Sequence, residues 1–98
     1  MTVTKTKEAT KLNVKIDGRL DTTTVPLLEA EMKDALDGIT DLVLDFSNLD
    51  YISSAGLRIL LTLHKQMNKQ GSMKVTNVNE IVSEVFEVTG FCDILNVE

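Results

Sequence analysis

The sequence is short of most residues that carry chemistry. It has one histidine, one cysteine, one proline, one tyrosine and no tryptophan among 98 residues. A lone Cys92 cannot close an intramolecular disulfide, and a single free thiol suits a reducing, cytoplasmic setting. One cysteine and one histidine are too few for a zinc site unless carboxylates complete it. Cys92 is expected to be a buried structural thiol, and His64 a packed or capping side chain. The N-terminal residues lack the apolar run of a signal peptide. No uninterrupted aliphatic run exceeds three residues, the length of Ile59 to Leu61, so no membrane span is expected.

Basic charge is scarce as well. Ten Lys and Arg stand against fifteen Asp and Glu, a net charge of −5 with no basic cluster. Phosphate backbones are held by Lys and Arg, so nucleic acid is not an expected partner. No Gly-rich loop ending in Lys-Ser/Thr is present. There is no Gly-x-Ser-x-Gly elbow either, because Ser53-Ser54-Ala55-Gly56 is spaced differently. His64 lies two to three turns beyond Ser54, on the order of 15 Å along a helix axis, out of reach as its base. Asp17, Asp21, Asp45 and Asp50 fall mostly where turns and strand ends carry Asp. These residues therefore point to no catalytic site and no metal site, and the chain reads as a non-enzyme.

What is present is a globular composition, 43% hydrophobic and 26% charged, on a chain long enough for one domain, 1–98. Residues 2–7 alternate weakly. Residues 11–17 alternate cleanly, with Leu12, Val14 and Ile16 on one face, so the two segments pair as a hairpin. Thr24 is a candidate N-cap, with Pro26 in the first turn. Val25, Leu28, Met32 and Ala35 or Leu36 recur at helical spacing, and Gly38 is a stop, giving a helix over 25–37. The dense apolar run of Leu42, Val43, Leu44 and Phe46 suits a strand buried on both faces. Residues 47–53 read as a loop, Ser54 or Ala55 to Lys69 as a helix, and Met73 to Thr76 as a strand. Asn79 caps a third helix through Thr89, with Val82, Val85 and Val88 or Thr89 inward and Gly90 as its stop. A short last strand closes the chain within 91–97. Strands alternating with helices imply a mostly parallel sheet.

The segment from Leu44 to Leu61 runs from a buried strand through a loop into a helix start built of Ser53, Ser54, Ala55 and Gly56. Small residues leave the first-turn amides approachable, and those amides have no intrahelical acceptors. The helix dipole adds about half a positive charge there, so a phosphate on Ser54 would sit in a favourable field. The plain alternative is that Ser54 is only an N-cap. In the helix beyond, apolar residues from Ile59 round to Leu61 cover about 200° of the circumference, twice what a core-facing helix minimally needs. Arg58, Thr62, Lys65 and Lys69 form the polar stripe. Ile59 and Leu63, at its margin, call for cover by a neighbouring helix or by a partner.

At this segment the chain resembles the STAS domain of bacterial anti-sigma factor antagonists. The likeness spans nearly all of it and rests on Gly18-Arg19-Leu20-Asp21, Leu42-Val43-Leu44-Asp45 and Tyr51-Ile52-Ser53-Ser54-Ala55-Gly56-Leu57. The resemblance implies an α/β fold, a mixed sheet of four to five strands flanked by three to four helices. It implies a protein that binds an anti-sigma factor with serine kinase activity, frees a sigma factor, and is switched off by phosphorylation. A phosphoserine phosphatase would reset it, and ATP would belong to the kinase, so the resemblance implies no bound cofactor in this chain. Carried over, Ser54 matches the phosphorylated serine, Asp21 an acidic residue beside it and Gly56 the small residue of the helix start. The implied partner-binding set is Asp21, Thr22, Ser53, Ser54, Ala55, Gly56, Leu57, Arg58 and Ile59. Many relatives carry Asp directly before the acceptor, where this chain has Ser53, so Ser53 is the alternative acceptor. The competing reading is a non-switching STAS scaffold subunit of a larger signalling or lipid-transport assembly.

Overall fold

The computed structural model describes residues 1–98. Strands β1 (Thr2–Glu8) and β2 (Lys11–Leu20) form an antiparallel hairpin. Its two-residue turn places Ala9 at φ 53°. Helix α1 (Val25–Met32), strand β3 (Asp41–Asp45) and strand β4 (Leu49–Ile52) follow, then helix α2 (Ser54–Asn68) and strand β5 (Ser72–Thr76). Helices α3 (Glu80–Thr89) and α4 (Phe91–Ile94) end the chain. The sheet order is β1-β2-β3-β5, with β3 parallel to both its neighbours. The long β2 serves two partners in turn. Lys11 to Lys15 pair with β3, and Gly18 to Leu20 pair in parallel with β4 after an irregularity between Gly18 and Arg19. Gly18 sits at φ +103°, open to glycine without strain.

The alternation of β2 decides the layering. Leu12, Val14 and Ile16 are almost sealed and face the helices, joined by Leu42 and Leu44 from β3 and Met73 and Val75 from β5. Phe46 and Phe86 are the largest fully buried side chains, and no polar side chain is buried. Val43 is 8% exposed, on the opposite face from Leu42 and Leu44, between its register partners Asn13 and Lys74. The dense apolar reading of β3 therefore holds on both faces.

At one end of the sheet, three strands start from a shared seam. The Thr40 N–H donates to the Thr10 carbonyl, and the Ser72 N–H donates to the Thr40 carbonyl. A side-chain carbon on Gly71 would overlap the Thr40 carbonyl, so only glycine fits this crossing.

Several expectations need correction. Helix α1 stops at Met32, not residue 37. Winding continues to Ile39 with i to i−3 bonds such as Ala35 N–H to Met32 O and Ile39 N–H to Leu36 O, and this tighter repeat buries Leu36 and Ile39. Residues 49–52 are a strand rather than loop. Residues 91–94 are one turn of helix, and the expected last strand reduces to a single bridge between Val97 and Val75. Cys92 is exposed, because that turn points Leu95 inward instead. Val88 is 80% exposed and Thr89 is also outside; Phe86 fills the inward position beside Val82.

Candidate functional site at the start of helix α2

The α2 start is set by β4. Leu49 and Ile52 are buried, and the Ser53 N–H donates to the Leu20 carbonyl at 2.9 Å, carrying the β2–β4 pairing to the first residue before the helix. Ser53 has extended backbone, φ −97° and ψ 177°, as an N-cap requires. Its hydroxyl accepts from the Gly56 N–H at 3.4 Å, and its carbonyl accepts from Leu57. Ser53, not Ser54, is thus the cap. Ser54 is the first helical residue; it is exposed, and its hydroxyl takes part in none of the chain's hydrogen bonds.

Gly56 is buried where α2 meets the sheet. A side-chain carbon there would lie 2.7 Å from Ile52 Cγ1, 2.9 Å from the Leu20 carbonyl oxygen and 3.0 Å from Leu20 Cγ. Its role in this chain is close approach, which keeps the first turn of α2 against the ends of β2 and β4.

Asp21 follows Leu20 directly and shapes the neighbouring loop. Its Oδ1 accepts from the Thr23 N–H at 3.0 Å, the Thr23 hydroxyl at 2.7 Å and the Thr24 N–H at 3.2 Å. Thr24 precedes α1 but makes no side-chain cap bond; its hydroxyl donates to the Arg19 carbonyl at 2.7 Å. The Thr23 hydroxyl, opposed by a smaller desolvation cost and helped by the Thr23 and Thr24 N–H groups, holds the Asp21 carboxyl below its ordinary pKa. Asp21 is therefore an anion at neutral pH. Arg19 Nε lies 3.6 Å from Asp21 Oδ2, and its guanidinium stacks 4.8 Å over the Tyr51 ring. This Arg19–Tyr51 pair spans β2 and β4 and depends on the β4 pairing, which the local residue pattern does not signal.

Of the nine residues expected to meet a partner, Thr22, Ser54 and Arg58 are exposed, while Asp21, Ser53 and Ala55 are half-buried. Gly56, Leu57 and Ile59 are buried and shape the surface from beneath. Ile59 and Leu63 retain only 6% and 5% exposure beneath α1, so a neighbouring helix covers them. From Ala55 onward, a groove of about 710 Å³ runs between α1 and α2, floored by Val25, Met32, Ile59 and Leu63 and edged by Glu29 and Arg58. Asp17, Asp21, Asp45 and Asp50 do not gather into a metal-holding cluster. His64 is half-buried farther along α2, with Nε2 3.3 Å from the Asn68 amide. No helix is long and apolar enough to cross a membrane.

Across residues 1–98 the sequence matches the family described as STAS domain. The chain belongs to the STAS domain family. Among its relatives, BtrV of Bordetella bronchiseptica is 40% identical over 84 residues, which cover 84% of this chain and 72% of that protein. The anti-sigma-B factor antagonist of Bacillus subtilis is 29% identical over 87 residues, 88% of this chain and 80% of that one. The STAS fold is shared with the anti-sigma factor antagonist SpoIIAA of Bacillus. Its unphosphorylated structure superposes with a TM-score of 0.84 at 18% identity, covering 99% of this chain and 88% of that one. The phosphorylated form gives 0.76 at 17% identity, covering 99% and 91%.

Proposed function

We propose that this STAS domain is an anti-sigma factor antagonist, cytoplasmic and without catalytic activity of its own. In its unmodified form it binds an anti-sigma factor that is also a serine kinase, and that binding frees a sigma factor. Phosphorylation of Ser54 ends the association, and a phosphoserine phosphatase restores it. One observation carries this reading: Ser53 takes the capping role, leaving an exposed Ser54 hydroxyl with no structural task, at the helix end where amide dipoles converge. The relatives named as antagonists, and the existence of SpoIIAA in two phosphorylation states, support the same reading.

The chemistry is simple on this side. The Ser54 oxygen attacks the γ-phosphorus of ATP held by the kinase. The bond from that phosphorus to the bridging oxygen breaks, ADP leaves, and a base on the kinase takes the hydroxyl proton. The product adds about −1.5 to −2 charges at pH 7. The first-turn amides of α2 tolerate that charge, so the fold survives. A partner surface shaped for a neutral serine beside the Asp21 anion meets a second, larger negative charge there, which costs affinity.

The test uses purified chain, a cognate kinase and ATP. Ser54 should gain one phosphate by mass, and Ser54→Ala should gain none. Ser54→Asp and Ser54→Glu should bind the kinase far more weakly than Ser54→Ala. Modification at Ser53 instead would move the acceptor by one residue. Equal binding by all Ser54 variants would refute the switch and leave a non-switching scaffold.

A further inference from the structure

Helix α3 has two apolar stripes where a helix lying on a sheet needs one. Val82 and Phe86 face the core. Ile81, Val85 and Val88, spaced i, i+4 and i+7, form a second stripe, with Ile81 59% and Val88 80% exposed and Val85 half-buried between them against the edge of the core. β-Branched residues are poorer helix formers than the Lys, Glu or Gln usual at such positions, so the stripe does not serve the helix itself. Glu80, Glu84 and Glu87 line its solvent-side border. Beyond Lys74 the chain contains five acidic residues and no Lys or Arg.

We propose that the outer face of α3 docks a basic amphipathic helix of a partner protein, with apolar residues at helical spacing and Lys or Arg along their flank. Apolar anchors at i, i+4 and i+7 are the pattern by which helix pairs recognise each other. A uniformly acidic border selects an apolar stripe with a cationic flank and rejects an acidic one. The same border opposes a second copy of this chain, since two such faces would bring the Glu80, Glu84 and Glu87 ridges together with no cation to separate them. It also opposes an anionic lipid surface. The surface lies on a different element from Ser54, and its occupancy does not depend on the phosphate.

The full chain, isotope-labelled for NMR, is titrated with a synthetic helical peptide of about five turns carrying a Leu stripe flanked by Lys. Two control peptides accompany it: a scrambled one of identical composition, and one with Glu in place of Lys. Amide shifts centred on residues 80–89 with the first peptide alone are expected. Val88→Gln, and separately the pair Glu84→Lys and Glu87→Lys, should each weaken binding about tenfold or more. All three substitutions are at exposed positions, and circular dichroism confirms that each variant is folded. Ser54→Asp should bind the peptide as the unaltered chain does. The proposal is overturned by an equal response to the scrambled peptide, or by shifts centred on the α1–α2 groove. Self-association that Val88→Gln abolishes overturns it too, because a second copy would then cover the face.

Discussion

Replacing Gly56 with alanine sets two effects of opposite sign against each other. In an exposed helix the change favours folding by about 1 kcal/mol, since alanine is the better helix former. Here the new methyl would meet Ile52 Cγ1 at 2.7 Å and the Leu20 carbonyl oxygen at 2.9 Å, where ordinary van der Waals contact begins near 3.4 Å. The Ile52 side chain can yield part of that deficit by changing rotamer. The Leu20 carbonyl cannot, because it already accepts from the Ser53 N–H and belongs to the end of β2. The first turn of α2 must therefore lift by several tenths of an ångström, carrying Ser53 and Ser54 with it. Overpacking of this kind costs about 1–3 kcal/mol. At the upper part of that range the net loss is about 1–2 kcal/mol, or roughly 4–16 °C in Tm for a domain of this size. Urea unfolding and thermal melts of Gly56→Ala measure it, with Gln66→Ala on the exposed side of α2 as a control that should change stability by less than about 0.5 kcal/mol. Phosphorylation of Ser54 should also slow in the variant. If Gly56→Ala melts at or above the unaltered chain, the close approach is not rigid and the account of how α2 is seated fails.

The two serines should separate cleanly. Ser53→Ala loses a cap and about 0.5–1 kcal/mol in chemical denaturation, the low end because the Gly56 N–H contact is long, whereas Ser54→Ala should stay within about 0.5 kcal/mol. Asn79 accepts from the Val82 N–H at 2.8 Å and donates to the Leu49 carbonyl at 2.6 Å; Asn79→Ala should cost about 2 kcal/mol by the same assay. Burial pushes the Asp45 carboxyl up, but bonds from the Ser47 N–H and the Asn77 amide, with the charge of Lys15, outweigh it and leave the pKa below its ordinary value. A lowered folded pKa means the ionised form stabilises the fold above the unfolded pKa of about 3.9, and that contribution is lost as pH falls through the folded value. Unfolding measured from pH 6 down to about pH 3 should therefore show a shallower acid loss for Asp45→Asn than for the unaltered chain.

Where one residue pattern admits one geometry, the fold was legible. The alternation of Leu12, Val14 and Ile16, the length of the α2 stripe, and the Asn79 and Gly90 boundaries of α3 all match the structure. Legibility fails where local pattern underdetermines packing. In β4, Asp50 and Tyr51 are both exposed between buried Leu49 and Ile52, which erases the alternation a short strand would show. Valines 82, 85 and 88 recur every third residue and suggest one inward face. Spacings of three and four are both helical, however, and the larger Phe86 claims the core, rotating Val88 into solvent. The start of α2 itself is legible in the run of small residues from Ser53 to Gly56. Which serine caps it depends on the Leu20 carbonyl meeting Ser53, a contact between residues far apart in sequence.

The Thr10–Thr40–Ser72 seam lies at the end of the parallel strands away from Ser53 and Asp21. The fastening of the strands and the candidate site are thereby kept at opposite poles of the sheet, the usual placement for ligand-binding loops in parallel sheets. A domain built this way can exchange one set of loop residues for another while the fastening at its far pole stays unchanged.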